Sequence, residues 1–267
     1  MKTKISIIFI IFLFIPQIAL AGVISLTTTV SSDEMIKDST KINVKLLNSG
    51  TEPAYSVQIT PLLSSSFSAD SVIYEILSTN EPKESSLKIT LNEEVTPGNY
   101  PAAILVDYAD ANGYPFSSVS PNFIVYKTRT VSRVSGIMSE VSLTDKSSKK
   151  MTLTVRNLDD SPHDVKIKLF LPRELKVENS EKSISLNAKE EKELSFEVSS
   201  LSALAGSSYI SLASLEYEDE VLHYSSFARG IIKIEAGNPF EFPIWVPVIT
   251  FVVLLIIFLY YFKRGKK

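Results

Sequence analysis

Asp107, Asp110, Asn112 and Gly113 fall within seven residues, inside the stretch Y-P-A-A-I-L-V-D-Y-A-D-A-N-G-Y-P-F-S-S that runs from Tyr100 to Ser118. Two carboxylates, an amide oxygen and a glycine are the materials of a calcium loop. They are also the materials of a hairpin turn. An EF-hand loop has the form D-x-[DN]-x-[DN]-G with a bidentate glutamate at its twelfth position. Setting Asp110, Asn112 and Gly113 in that register puts Tyr108 first and Val119 last, and neither carries a carboxylate. A different calcium site would need Asp107 and Asp110 on one face. Residues three apart on a strand point to opposite faces unless the turn begins between them. Asn-Gly, by contrast, is a hairpin signal, because both residues tolerate positive φ. The D-A-N-G stretch therefore reads as a turn, with calcium at Asp107, Asp110 and Asn112 as the minor alternative.

Other chemistry finds little to work with. Histidine occurs at positions 163 and 223 and cysteine nowhere. A nucleophile–base pair would have to use His163, which follows Pro162 in a turn, or His223, which falls in an expected strand. There is no G-x-S-x-G and no H-E-x-x-H. Glycoside hydrolysis asks for two carboxylates facing across a cleft, and Asp107 and Asp110 sit at a strand end with no insertion to build one. The expectation is therefore no enzyme activity, and no catalytic, cofactor-binding or metal-ligating residue is assigned. The single tryptophan, Trp245, lies in the C-terminal apolar segment, so a glycan platform would have to be built from the 11 tyrosines.

The elements that carry these residues alternate with period two. Ile42, Val44 and Leu46 alternate with polar neighbours, as do Val57 and Ile59, then Leu87, Ile89 and Leu91. Such runs, punctuated by Ser, Asn, Gly and Pro, are the pattern of a β-sandwich with one face of each strand inward. The Ser-rich run from Leu63 to Ser71 and the charged run from Lys189 to Glu193 read as solvated loops or strand edges. The pattern is then written a second time. Asn48 and Pro53 are answered by Asn157 and Pro162, Tyr100 by Tyr209, Asp107-Tyr108 by Glu216-Tyr217, and Asp110 by Asp219, all at one constant offset. F-S-S-V at Phe116 is answered by Y-S-S-F at Tyr224. Two tandem units follow, residues 22–128 and 129–236, each the size of an immunoglobulin-like module. Tyr100 and Tyr209, at the start of the penultimate strand, match the tyrosine corner of such sandwiches, where a buried ring ties down a loop through its hydroxyl.

The ends place the body. M-K-T-K, an apolar run to Leu20 and an A-L-A site ending at Ala21 read as a secretory signal peptide, residues 1–21. Residues 237–241 form a juxtamembrane linker. Residues 242–262 carry no charge; as a helix they span about 31 Å, the thickness of a bilayer's hydrocarbon core. The basic tail 263–267 orients that span with the C-terminus cytoplasmic. The two ends hold six of the 27 basic residues and none of the 30 acidic ones, so residues 22–241 carry 21 against 30, a net charge of −9. That argues against a nucleic-acid footprint.

Asn157 to Pro172, N-L-D-D-S-P-H-D-V-K-I-K-L-F-L-P, resembles the strand-turn-strand of the NEW3 family of immunoglobulin-like modules, and A-L-A-G-S-S-Y, Ala203 to Tyr209, is similar to that family's A-x-x-G-x-Y segment. N-S-G-T-E-P-A-Y-S-V and T-P-G-N-Y-P in the first unit resemble CARDB-like and S-layer-associated modules of prokaryotic envelopes. Leu158-Asp159 departs from the NEW3 pattern, which has a glycine after the asparagine. The resemblance implies fold more than activity. The expectation is an all-β protein of two tandem immunoglobulin-like β-sandwich domains with a signal peptide and one C-terminal transmembrane helix. It would be held in the plasma membrane with its domains extracytoplasmic. Its role would be that of a spacer, an adhesion or S-layer-associated element, or an accessory subunit with a protein partner in the membrane. A carbohydrate-binding or enzyme-accessory module is the alternative.

Overall fold

The computed structural model describes residues 22–144, 147–236, 249, 251–254 and 256. The residues read as a signal peptide (1–21), as a linker (237–241) and as a basic tail (263–267), and most of the apolar segment 242–262, lie outside the described residues. Ile249, 251–254 and Ile256 are helical and exposed. Among the described residues no helix is long and apolar enough to cross a membrane.

The body is all-β, and its contacts divide it into two compact units. Unit 1 takes the chain through Ser132 together with Glu216–Phe227; unit 2 takes Arg133–Leu215 and the chain from Ala228 onward.

Unit 1 contains β1 (Leu26–Ser32), β2 (Ser39–Asn48), β3 (Ala54–Leu62), β4 (Phe67–Ala69), β5 (Val72–Leu77), β6 (Lys83–Leu91), β7 (Gly98–Pro101), β8 (Ala103–Ala109), β9 (Pro115–Ser120) and β10 (Phe123–Tyr126). One sheet has the order β1-β2-β6-β4 and another β5-β3-β8-β9. The alternation does what period two requires. In β2, Ile42, Val44 and Leu46 are buried while the residues between them are exposed. Val57 and Ile59 from β3, Ile104 and Val106 from β8 and Ile89 from β6 meet them in one core. Each such side chain contributes about 1.5–3 kcal/mol relative to exposure. The Ser-rich run is not all solvated: it contains β4, whose Phe67 is buried in this core against the edge of the Tyr100 ring. A lone apolar residue among serines carries no period, so its inward direction was invisible in the sequence.

Unit 2 contains β11 (Val134–Met138), β12 (Val141–Leu143), β13 (Ser148–Asn157), β14 (His163–Phe170), β15 (Leu175–Val177), β16 (Glu181–Leu186) and β17 (Glu191–Ser200), with most of β18 (Ser208–Glu218) and β19 (His223–Ile234). One sheet runs β11-β13-β17-β15; β19, β18, β14 and β16 lie side by side in another, with β12 parallel to β19. The two face each other closely. A Cβ on Gly136 of β11 would come within 3.1 Å of Leu215 on β18 and 3.0 Å of Ala228 on β19. Glu191–Glu193 of the charged run form the start of β17.

The last strands differ between the units for a covalent reason. Proline has no N–H to give a ladder. Pro101 ends β7 and Pro121 separates β9 from β10, so each stretch changes partner: β7 pairs with β10, whereas β8 pairs with β3 and β9. At the corresponding places unit 2 has Ile210 and Arg229, and β18 and β19 run unbroken.

Candidate functional site

The D-A-N-G residues build a turn. Asp110 N donates to Tyr114 O at 3.1 Å and Gly113 N to Asp110 O at 3.0 Å, closing the β8–β9 hairpin. The Asp110 carboxylate accepts from the amides of Asn112 (2.9 Å) and Tyr114 (2.8 Å), so Oδ1 is committed to holding the turn. Gly113 alone of the pair takes positive φ, at 79°. The loop is thus a three-residue connection with its left-handed position on glycine, rather than a turn with both Asn112 and Gly113 left-handed. Asp107 lies within β8, paired with Gln58 of β3 and Ser117 of β9, and not in the turn. Among the described residues no three His, Asp or Glu side chains converge as a metal site.

The turn at Asp219 uses the same device more tightly. Asp219 Oδ1 accepts from Val221 (2.9 Å) and Leu222 (2.7 Å), and Asp219 N donates to Leu222 O, leaving a two-residue loop. The asparagines also correspond. Asn48 and Asn157 are both fully buried. Asn48 Nδ2 donates to Glu52 O and Asn157 Nδ2 to Ser161 O, each at 2.7 Å, while each Oδ1 accepts from the amide two residues on. The tyrosines are corners as well: Tyr100 Oη donates to Thr96 O at 2.6 Å, and Tyr209 Oη accepts from Leu204 N at 3.1 Å.

His223, expected in a strand, opens β19 and is buried. It is 5% exposed and belongs to unit 1. Its ring stacks on Tyr100 at 3.9 Å and 8°. Nδ1 is 2.8 Å from Glu218 and Nε2 3.5 Å from Glu216. Its backbone is also fixed, since His223 N donates to Pro97 O and its carbonyl accepts from Thr130 Oγ1 at 2.7 Å. Asn99 brackets Thr130, donating from Nδ2 to Thr130 O at 2.7 Å and accepting from Thr130 N at 3.3 Å. Gly98 is required here: its φ is +151°, and a Cβ would lie 2.0 Å from His223 O. Burial first, then Glu218 and Glu216, push the Tyr100 phenol well above its usual range. Each imidazole nitrogen thus has a carboxylate beside it, Nδ1 within hydrogen-bond distance and Nε2 farther off. Nothing in the local sequence signals this cluster, because Thr130 and His223 are 93 residues apart.

His163 opens β14 and binds Asp159 in the preceding turn, Nε2 to Oδ2 at 3.1 Å. That bond, and the amide of Asp160, hold the Asp159 carboxyl below its ordinary range.

The aromatic side chains beside the D-A-N-G turn also cluster. Tyr108 stacks on Phe116 at 5.5 Å, and Tyr114 lies 5.2 Å from the same ring. All three are half-buried.

No family model matches the chain, and no curated protein matches it. Among solved structures, Salmonella α-2-macroglobulin mutant Y1175G aligns over 79% of this chain and 16% of its own, at 11% identity and a TM-score of 0.32. Native E. coli α-2-macroglobulin aligns over 80% and 17%, at 10% identity and a TM-score of 0.32. The chain thus spans about a sixth of those proteins' length. A Porphyromonas gingivalis W83 protein of unknown function aligns over 77% of this chain and 98% of its own, at 14% identity and a TM-score of 0.30. Likenesses of this size carry no functional weight.

Proposed function

We propose that the chain is a single-pass envelope protein whose work is interaction. In this reading residues 1–21 are a cleaved signal. Residues 22–128 and 129–236 are two tandem immunoglobulin-like sandwich modules on the outer face of the plasma membrane. Residues 242–262 anchor them through the linker 237–241, and residues 263–267 stay in the cytoplasm. The observation that carries it is the uncharged 21-residue segment, closed by K-R-G-K-K, directly behind an all-β acidic body. The resemblance to NEW3, CARDB-like and S-layer-associated modules agrees with a spacer, an adhesion or surface-layer element, or an accessory subunit. The reading assigns no catalytic role. Two treatments test it. Alkaline carbonate should leave the chain in the membrane pellet, and protease added to spheroplasts should remove the body and spare a small stub. A body fully protected from protease would refute the orientation.

The half-buried Tyr108, Phe116 and Tyr114 favour a second reading, a carbohydrate-binding module. Retention of the chain on a polysaccharide column, lost in Tyr114→Ala, would support it; passage without retention on a broad glycan panel would end it.

A further inference from the structure

The loop between β17 and β18 contains two exposed leucines, Leu201 at 64% and Leu204 at 46%. Several hydrogen bonds tie this loop to the place where the described body ends. Gly206 N donates to Ile234 O at 2.8 Å and Ile234 N to Ser207 O at 2.9 Å. Glu235 N donates to Leu143 O at 2.8 Å. Leu201 N and Ser202 N both donate to Glu174 O, and Leu175 pairs with Ser200. The loop, the turn before β15 and the exit of the chain at Ile234 therefore share one end of unit 2. Lys149, Arg173 and Lys176 are exposed around that end, with Glu235 among them, and the exposed Lys150 stands opposite Glu197 in the β13–β17 register.

Chain length fixes how far this end stands from the proposed anchor. From Ile234 to Phe242 the chain takes eight Cα–Cα steps and reaches at most about 29 Å when fully extended. A bilayer's interfacial region is itself several ångströms deep on each side of the hydrocarbon. Leucines at a loop tip and cations beside them are what an interface rewards: apolar side chains enter the acyl boundary while lysine and arginine meet anionic headgroups.

We propose that this end of unit 2 docks on the bilayer that residues 242–262 span, with Leu201 and Leu204 inserted at the lipid interface and Lys149 and Lys176 against anionic headgroups. The inference rests on the anchored reading above. Docking would hold unit 2 against the surface instead of leaving it free on the linker.

The chain has no cysteine, so single labels are clean. Leu204→Cys, Leu201→Cys and Leu158→Cys each receive an environment-sensitive fluorophore in the full-length protein. Leu158 follows Asn157 at the far end of β13, about 30 Å from Ser148. The protein is reconstituted into vesicles of zwitterionic and anionic lipid carrying a nitroxide-lipid quencher. Labels at 201 and 204 should be quenched at least about twofold more than the label at 158, and less so when anionic lipid is omitted or salt is raised. Equal quenching at 204 and 158 in a chain that resists alkaline carbonate overturns this inference and leaves the anchored reading standing. A chain that carbonate releases overturns both. A label at 204 shielded from aqueous iodide yet unquenched by the nitroxide lipid would mean that protein covers the loop, and would overturn the lipid assignment.

Discussion

Replacing Asn157 by alanine isolates what the repeated asparagine does. The side chain is fully buried and makes three hydrogen bonds: Nδ2 to Ser161 O at 2.7 Å, Nδ2 to Asn187 O at 2.9 Å, and Oδ1 from Asp159 N at 2.9 Å. Asn48 has the same count, with Nδ2 to Glu52 O at 2.7 Å and Oδ1 from Ser25 N at 3.2 Å and Gly50 N at 3.0 Å. At about 1 kcal/mol net per bond, either substitution should cost about 3 kcal/mol, and more where a carbonyl is left buried without a partner. Asn112→Ala is the control. Its site is exposed in a turn whose closing bonds use backbone and Asp110, so the loss should stay below about 0.5 kcal/mol. Urea titration of the full chain in mild detergent, followed by far-ultraviolet circular dichroism, measures all three. Because Asn48 and Asn157 lie in different units, any separate transitions should be shifted one at a time. If Asn48→Ala or Asn157→Ala falls as close to wild type as Asn112→Ala does, the asparagines are not the bolts of the two turns and the reasoning fails.

Other consequences follow from the same geometry. Gly98→Ala should cost about 3 kcal/mol or more, because φ of +151° and a backbone oxygen 2.0 Å from the new Cβ leave no room; amide exchange at residues 216–227 would report the loss. Thr130→Val should cost about 1–2 kcal/mol by deleting the donor to His223 O and the acceptor for Asn99 N, and a Thr130→Ser variant should recover most of it. Calcium should leave the melting temperature of the chain unchanged, while Asp110→Ala lowers it through loss of the two turn bonds; a calcium-dependent rise abolished by Asp110→Ala would contradict the turn assignment. Asp159, Glu181 and Glu190 are held below their ordinary ranges, chiefly by His163, Lys168 and the Asn187 amide. Groups lowered on folding stabilise above their unfolded pKa values, about 4, and that contribution is lost as pH falls through the folded values. Urea midpoints should therefore drop on acidification below about pH 4, with a smaller drop in Asp159→Asn.

The residue pattern by itself determined the all-β class, the inward faces of β2, β3 and β6, and the paired roles of Asn48 with Asn157, Tyr100 with Tyr209 and Asp110 with Asp219. These are local properties: side-chain period, turn chemistry and a constant offset in the chain. Only the tertiary structure decided that His223 stacks on Tyr100, that Thr130 bonds His223 and that Ser225 bonds the carbonyl of Asn99, a residue 126 positions earlier. It also decided that Phe67 turns inward and that two leucines stand beside the chain's exit. Such contacts join elements distant in sequence. They depend on which strands pair and where a proline forces a change of partner, and no window of neighbouring residues encodes that choice.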